Sequence, residues 1–456
     1  MIKLFLSPLK YFSIFICATA LVQFYSSCTK ATPLYTGGDT TTTPPKDTTT
    51  TTPPKDTTTT PPKDTTIKGR SFQVGSGSGN LTIDGSNLVI NGSNIVLTNG
   101  DIVKIKGGSY TSITIRNVNV PTNGARVTFI NDGLITLAGT RQMNLSNLNN
   151  VTVSGAGSSQ NDRGLVFTNN SFRAVVLSGS VNNFTLQNVL FKNIADYVIT
   201  YNGLDNLIYN GSPNSYVSNL AFKNIDAENV APLIQLNGDI TASGYKGLIN
   251  GLEISNMTCI NSPGLGAVVY AGCVINFNIH DNYVNNINTT NDNHNGVFFI
   301  HGNGKFYNNR VTNHQGNALR AWIFSAGEFA NNNTVTIYNN IVHNSRKYSA
   351  FEIQVLDYMR RSSVFKAANT IVYNNTVGKL NTDKMTFPGR LIDVYNTFGT
   401  LSVYNNLVFN NNDSQILNNM SSTTIVRNEN NVYIANEQEA VVMSTFASKI
   451  AGVGAN

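Results

Sequence analysis

The chain has 456 residues and a formal net charge of +6, and only 12% of its residues are charged. This share is about half that of an average soluble protein and suits a chain whose polarity comes from Asn, Ser and Thr. The mild positive charge permits anionic ligands without requiring them, and the sequence contains nothing that resembles a nucleic-acid-binding module.

The first segment carries the features of an export signal. Lys3 and Lys10 precede an apolar run from Tyr11 to Phe24, which is short for a membrane span. The small residues before Cys28 are similar to the lipobox of bacterial lipoproteins, although Tyr25 stands where Leu is usual. We therefore predict a signal peptide over residues 1–27 and a lipid anchor at Cys28, which would tether the protein to the outer membrane at the cell surface.

Residues 28–66 form a low-complexity segment in which TTTTPPKD recurs. Thr and Pro dominate, and no apolar residue follows Tyr35 in this segment. Proline pairs favour extended conformations, so we predict a spacer between the anchor and the folded part.

A short phrase recurs eight times between residues 183 and 412, at spacings of 25 to 36 residues. Each copy has Asn or Asp at one position: Asn188, Asn224, Asn256, Asp281, Asn308, Asn339, Asn374 and Asn405. Two residues earlier each copy is apolar: Leu186, Phe222, Ile254, Ile279, Phe306, Ile337, Val372 and Val403. The pattern indicates a strand that enters a turn, repeated once per coil.

This repeat predicts an all-β fold, a single right-handed parallel β-helix over residues 67–435 with about ten to twelve coils. Asn tolerates the left-handed backbone that a sharp turn needs, and stacked Asn side chains can form an internal ladder. The copies are rich in Val, Ile, Thr, Tyr and Asn, which excludes a helical solenoid. Residues 436–456 are predicted to be a C-terminal cap or tail.

All five histidines lie within 64 residues, which indicates a local function: His280, His294, His301, His314 and His343. His314 falls where other coils carry apolar residues, so we interpret it as a buried structural histidine. His280 aligns with a column of tyrosines: Tyr307, Tyr338, Tyr373 and Tyr404. That column could bind sugars, but stacked aromatic rings that stabilise a sheet face are the favoured interpretation.

The second strand of each coil predicts two outward columns of side chains. The first column reads Gln235, Tyr270, Phe299, Arg320, Glu352 and Asp393, and the second reads Asn237, Gly272, His301, Trp322, Gln354 and Tyr395. Charged groups beside exposed aromatic rings are what a saccharide site requires. The turns that feed this face add His294, Arg346 and Lys347. An ordinary cross-strand ion pair between Arg320 and Glu352 is the structural alternative.

Two mechanisms fit these residues. In a lyase, His301 or Lys347 removes the proton next to a uronate carboxylate that Arg320 or a metal neutralises, and a Tyr or His protonates the leaving oxygen. In a hydrolase, Glu352 works with Asp393 or Asp357, and their separation decides the stereochemistry. The excess of cations over carboxylates favours the lyase and an acidic polysaccharide.

The candidate site residues divide by role. We assign catalysis to His301, Arg320, Glu352, Lys347 and Asp393, and substrate binding to Trp322, Gln354, Tyr395, His294 and Arg346. A cofactor is not assigned: Ca²⁺ stays open and the sequence shows no motif for it. We expect a monomer, and a non-catalytic saccharide-binding or structural surface protein remains the alternative. Cys259 and Cys273 are interpreted as two buried thiols, with a disulfide left open.

From about Ile67 to Asn431 the repeat resembles the pectate lyase-like superfamily of parallel β-helix lyases and glycosidases. Gly316–Arg320 looks like the short segment that ends in a catalytic-site Arg in chondroitinase B-like and alginate lyases. The Glu-x-Ser-x-Lys segment of that family is missing, and residues 297–305 stand in its place. The paired aspartates of polygalacturonases are absent as well. The resemblance implies a carbohydrate-active β-helix without assigning a subfamily.

Overall fold

The computed structural model describes residues 69–157, 162–326, 333–384, 386–420 and 423–456. The predicted signal peptide, the Cys28 anchor and the spacer over residues 28–66 lie outside the described residues. Within those residues, no helix is both long and apolar enough to cross a membrane.

Strands make up nearly all of the regular structure. In chain order they are β1 Ser71–Val74, β2 Ser78–Asp84, β3 Leu88–Ile90, β4 Ser93–Ile95, β5 Ile102–Asn119, β6 Val127–Ala138, β7 Gln142–Ser154, β8 Leu165–Asn170, β9 Val175–Ile194, β10 Ile199–Asn202, β11 Val217–Val230, β12 Ile234–Leu236, β13 Asp239–Thr241, β14 Gly244–Lys246, β15 Ile249–Ser255, β16 Thr258–Ser262, β17 Val269–His280, β18 Tyr283–Ile287, β19 Gly296–Tyr307, β20 Arg310–His314, β21 Asn317–Ile323, β22 Thr334–Tyr338, β23 Ile341–Ser345, β24 Phe351–Gln354, β25 Asn369–Tyr373, β26 Thr376–Gly378, β27 Ile392–Tyr395, β28 Thr400–Tyr404, β29 Leu407–Phe409, β30 Leu417–Asn419, β31 Thr424–Glu429 and β32 Val432–Ile434. The described residues also contain two α-helices of one turn each, α1 Asp357–Arg360 and α2 Glu437–Ala440, and 3₁₀ turns over Leu204–Asn206 and Pro213–Ser215.

The strands confirm the predicted parallel β-helix. Among the described strands, twenty-eight form one sheet in which the paired strands run parallel, and the remaining four form the antiparallel hairpins β3–β4 and β13–β14. Each complete coil supplies three strands, as in β22, β23 and β24, and each pairs with its equivalent in the next coil, β25, β26 and β27. The fold is a right-handed parallel β-helix.

Three faces result, and we name them by what they carry. The tyrosine face contains β22, β25 and β28, the middle face contains β23, β26 and β29, and the carboxylate face contains β21, β24 and β27. The carboxylate-face strand was predicted to be the second of each coil, but it is the third. The short segment after the Asn turn forms a strand of its own, such as β23.

The core is a continuous apolar column inside the coils. All eight apolar positions of the repeat, from Leu186 to Val403, are fully buried. Burial of each such side chain stabilises the fold by about 1.5–3 kcal/mol. Cys259 and Cys273 are buried free thiols in this core, as predicted, and they do not form the disulfide that was left open.

The Asn turns are as predicted, but the ladder is displaced by one residue. All eight predicted turn residues have left-handed backbones, with φ between 51° and 60°. The ladder runs through the later coils, where the residue after the left-handed turn residue is Asn: Asn282, Asn309, Asn340, Asn375, Asn406 and Asn431. Successive Nδ2···Oδ1 distances are 2.8–3.1 Å. The left-handed residue turns its own side chain outward, and the next residue points into the coil.

The C-terminal tail lies along the middle face. Nε2 of His343 is 2.8 Å from Oε1 of Glu437, and the His343 ring stacks on Phe446 with centroids 3.8 Å apart. Further along the tail, the amide of Ala455 donates to Oγ1 of Thr376. The tail therefore covers the side of several coils.

We predict that Asn340→Ala weakens the fold more than Asn431→Ala. The Asn340 amide donates to the carbonyl of Phe306 and accepts from the Asn309 backbone, both at 3.0 Å or less, in a fully buried setting. Each buried group left unpaired costs roughly 1–3 kcal/mol. Asn431 is the half-buried last rung, where water can replace lost bonds. Urea unfolding midpoints measure both variants, and equal losses would contradict the ladder's role.

Candidate functional site on the carboxylate face

The predicted columns of the carboxylate face have the predicted register. Gln235, Tyr270, Phe299, Arg320, Glu352 and Asp393 pair in that order along β12, β17, β19, β21, β24 and β27. The neighbouring column places His301, Trp322, Gln354 and Tyr395 on consecutive rungs. The pattern of apolar residues was therefore sufficient to align these side chains.

These side chains point outward from the coils, but several of them are not exposed to solvent. The expectation that they form an open surface is therefore wrong. His301, Glu352 and Asp393 are each 2–3% exposed, and Lys347 is buried too. Rings on neighbouring rungs cover His301, and side chains from the turns cover Glu352. The accessible part of the site is formed by half-buried groups such as Arg320 and Trp322.

The centre of the site is one carboxylate shared by two cationic or potentially cationic side chains. Nε of Arg320 donates to Oε1 of Glu352 at 2.7 Å, and Nε2 of His294 is 2.9 Å from Oε2. Arg320 also donates from Nη1 to the carbonyl of His294 at 2.9 Å. We call Arg320, Glu352 and His294 the central triad.

The triad keeps Glu352 ionised. Burial alone would raise the pKa of this carboxyl, but the hydrogen bond from His294 and the charge of Arg320 outweigh it and lower the pKa. A buried carboxylate without such partners would be protonated or strongly destabilising. Glu352 thus holds Arg320 and His294 in place rather than facing solvent itself.

Tyr348 fixes the turn above the triad. Its backbone has φ 72°, an unusual conformation for a bulky residue. The Tyr348 ring stacks on the His294 ring with centroids 4.0 Å apart. The Phe387 ring also contacts Tyr348, with centroids 5.7 Å apart. Strain of this kind persists where the surrounding structure enforces it and clusters at functional sites.

Asp393 lies one rung beyond Glu352 and has the opposite protonation behaviour. Burial raises its pKa to about 7, and the negative charge of Glu352 adds to the effect. Hydrogen bonds from Ser349 and Asn418 lower it only in part, with Asn418 Nδ2 3.1 Å from Oδ1. Adjacent carboxyls with separated pKa values are a feature of acid–base sites.

An aromatic wall borders the triad on the rung of Arg320 and on the rung before it. The His301 and Trp322 rings stack at 4.3 Å, and the Arg320 guanidinium lies 5.1 Å from the centre of the Phe299 ring. Burial lowers the pKa of His301 to about 3, so the ring is neutral and a weak base. The structure therefore argues against the predicted role of His301 as catalytic base.

The predicted cations of the turn are engaged in ion pairs. Nζ of Lys347 is 2.9 Å from Asp292, and Arg346 reaches both Asp292 and Asp383 at 3.1 and 3.3 Å. Lys347 is thus buried against a carboxylate instead of being directed at a substrate, which argues against it as the base. These pairs anchor the turn that carries His294.

The remaining predicted residues lie outside the central triad. Gln354 and Tyr395 are half-buried on the two rungs after Trp322. Asp357 is exposed on α1 and pairs with Arg360, apart from the central triad. His314 is buried, and burial lowers its pKa to about 3, as its structural interpretation implies.

The tyrosine column forms an uninterrupted stack on the tyrosine face. The rings of His280, Tyr307, Tyr338, Tyr373 and Tyr404 follow one another at 4.7–5.2 Å and within 9° of parallel. Arg427 covers the far face of Tyr404 at 3.7 Å. Because each face of the four tyrosine rings meets another ring or a cation, these tyrosines offer sugars only their ring edges. This arrangement favours the stabilising role over saccharide binding.

Four residues of the site were not predicted: Tyr348, Ser349 and Asn418, which cover or bond the central carboxyls or their partners, and Asp292, which pairs with Arg346 and Lys347. They lie in turns or in the last coil, where the repeat has no fixed spacing, so the sequence gives no signal for them. In the described parts of the chain, no group of three or more His, Cys, Asp or Glu side chains is arranged to hold a metal ion.

No protein-family model matches the chain, and a search of curated proteins finds no significant match. Among solved structures the chain is similar to that of pectate lyase Pel9A. The similarity has a TM-score of 0.32 and 13% sequence identity, and covers 84% of this chain and 88% of the other.

We predict that the stability contribution of Asp393 falls as pH rises. Its pKa is raised on folding, so its contribution is complete below about pH 4 and is lost as pH rises through about 7. Between those limits the free energy of unfolding of Asp393→Asn should rise relative to that of the wild type by up to about 1.4 kcal/mol per pH unit. Thermal unfolding across this pH range measures the difference.

Asp413→Asn is the matched control for that experiment. Burial would raise the pKa of Asp413, but backbone and Arg390 hydrogen bonds lower it instead. Its contribution is present at neutral pH and is lost on acidification, which is the opposite sign. If both variants change stability in the same direction with pH, the protonation assigned to Asp393 is wrong.

Proposed function

We propose that the protein is a polysaccharide lyase that cleaves an acidic polysaccharide on the carboxylate face. The observation that carries this proposal is the central triad: two accessible nitrogen groups held on one buried, ionised carboxylate. The side chains of Arg320 and His294 are 17% and 31% exposed, whereas that of Glu352 is 2% exposed. A substrate would meet the guanidinium and the imidazole first.

The triad suits β-elimination from a uronate. Arg320 would neutralise the substrate carboxylate, which makes the neighbouring C–H proton acidic. His294, oriented by Glu352, would take that proton as the electron pair forms the double bond and the glycosidic C–O bond breaks. Tyr395, on the same face, is the candidate donor of a proton to the leaving oxygen.

Hydrolysis fits this geometry less well. A glycosidase needs one carboxyl to protonate the glycosidic oxygen and another to act at the anomeric carbon or its water. Glu352 is bonded to two side chains and Asp393 is 3% exposed, so neither presents a free oxygen to a sugar. The pKa of Asp393 near 7 is the one observation that favours an acid of this type.

A purely structural triad is the other reading of the same contacts. Other coils of the carboxylate face place Gln235 and Tyr270 at the equivalent positions, so the repeat does not require an ion pair. Burying a carboxylate with its partners is seldom more stabilising than an apolar cluster of similar size. The triad is therefore better explained by a function than by stability.

We also propose that the protein is displayed on the outer membrane through acylation of Cys28. The support is the sequence pattern alone: a charged start, an apolar run and small residues before Cys28. Cys28→Ser should release the protein from the membrane fraction of expressing cells. If the variant still sediments with the outer membrane, the anchor is elsewhere.

We predict that Arg320→Ala lowers turnover of a uronate polysaccharide by about 10²–10³ in protein that is still folded, although the loss of one partner of the buried Glu352 lowers its stability. The substitution removes the group that neutralises the substrate carboxylate. Unsaturated products that absorb in the ultraviolet measure the rate, and circular dichroism checks the fold. A panel of uronic-acid and neutral polysaccharides identifies the substrate.

Arg116→Ala is the matched control. Arg116 likewise bonds a carboxylate through Nε, 2.9 Å from Asp84, on a distant coil. It should leave the rate unchanged. Full activity of Arg320→Ala would place the site elsewhere, reducing ends without unsaturated products would indicate a hydrolase, and retention on a polysaccharide gel without products would indicate binding alone.

A further inference from the structure

A half-open cavity of about 400 Å³ lies on the tyrosine face, upstream of the tyrosine stack. It extends from Thr152 on β7 to Asn278 on β17, across successive coils. Small cavities of this size are within the range that holds ligands of one or a few rings. The cavity is on a different face from the central triad.

Small outward side chains create the concavity. Thr152, Thr185 and Ala221 occupy one column on successive rungs, and none of them fills the space above the sheet. Arg126 forms a wall at one end. It comes from the turn between β5 and β6 and donates from Nη1 to Oγ1 of Thr185.

The carboxylate in the cavity is already neutralised. Glu253 is 2.7 Å from Nζ of Lys223 and 3.6 Å from Nε2 of His280. The His280 hydrogen bond is the largest cause that lowers the pKa of Glu253 to about 2, despite its partial burial. Asp281, in turn, contacts Nδ1 of His280 at 2.6 Å.

Arg126, by contrast, has a charge that is only partly compensated. In the part of the chain that the structure describes, no carboxylate forms an ion pair with its guanidinium. Burial lowers the pKa of Arg126, whereas the charge of Glu253, which lines the same cavity, opposes that shift only in part. The cavity lining therefore carries two cations, Arg126 and Lys223, against one carboxylate.

The rest of the lining combines polar uncharged side chains with the apolar residues Leu220, Ala221 and Leu252. It presents hydroxyl and amide groups of Thr152, Gln187, Asn219, Asn276 and Asn278. Such groups bond sugar hydroxyls, and a guanidinium is the preferred partner for a carboxylate. Leu220 and Leu252 are almost fully buried and Ala221 is small, so the charged and polar side chains favour a saccharide over a lipid.

We propose that this cavity binds one uronate unit, with the sugar carboxylate on Arg126 and the hydroxyls on the surrounding Thr, Asn and Gln side chains. The inference does not depend on the activity proposed for the carboxylate face. A protein without catalytic activity could hold an acidic saccharide in the same way, as a second point of attachment along the solenoid.

The test uses calorimetric titration of the Arg320→Ala protein with galacturonate, galactose and acetate. This background removes the main cation of the central triad, so that remaining binding reports the cavity. We expect galacturonate to bind, and galactose and acetate to bind at least about tenfold more weakly. Galactose lacks the carboxylate and acetate lacks the sugar hydroxyls. Adding Arg126→Gln should weaken galacturonate binding at least about tenfold.

Two further variants keep the outcome decisive. Ala221→Tyr fills the cavity floor without changing charge and should also abolish binding. Arg141→Gln removes an arginine that likewise donates to a hydroxyl, that of Ser109 at 3.3 Å, but lies outside the cavity. It should bind like its parent, and unfolding temperatures verify that all variants are folded.

Several results would overturn the proposal. Unchanged affinity in both Arg126→Gln and Ala221→Tyr would remove the cavity from consideration. Equal binding of acetate would show a simple anion site without sugar recognition. Galacturonate binding that disappears with Arg320→Ala alone would place the ligand on the carboxylate face, which supports the proposed function and excludes this second site.

Discussion

The parallel hydrogen bonding between successive coils is the constraint on which the whole structure depends. It brings equivalent residues of neighbouring coils to one strand spacing, about 4.8 Å. Apolar residues stack into the core, Asn residues stack into the ladder, and tyrosine rings stack at 4.7–5.2 Å because the backbone already has that period. The same rule places Arg320, Glu352 and Asp393 on consecutive rungs, where their charges interact directly.

Features that follow this period were predictable from the sequence. The inward apolar residues, the left-handed turns and the two columns of the carboxylate face all have the predicted positions. The ladder was misplaced by one residue because the repeat often has two adjacent asparagines, such as Asn339 and Asn340. Residue type cannot tell which of the pair takes the left-handed backbone and which points inward, since Asn suits both.

Burial of the site was not predictable, because it comes from turns of variable length. Tyr348 and His294 lie in such turns, and together they convert Glu352 from a surface group into a buried one. Alternation along a strand tells which face a side chain is on. It does not tell what a neighbouring turn places above that face, and the protonation states of Glu352 and Asp393 depend on that cover.

The five histidines show how far clustering in sequence can mislead. His314 is in the core, His343 is under the C-terminal tail, His280 ends the tyrosine stack, and His301 is enclosed by rings. Only His294 reaches both solvent and a charged partner on the carboxylate face. Arg126 shows the converse: nothing in its sequence neighbourhood suggests a role, yet it faces a polar cavity without a carboxylate partner among the described residues. Most charged side chains of this repeat pair with a neighbouring coil. An accessible charged group that the repeat itself does not require is therefore the best indication of a ligand.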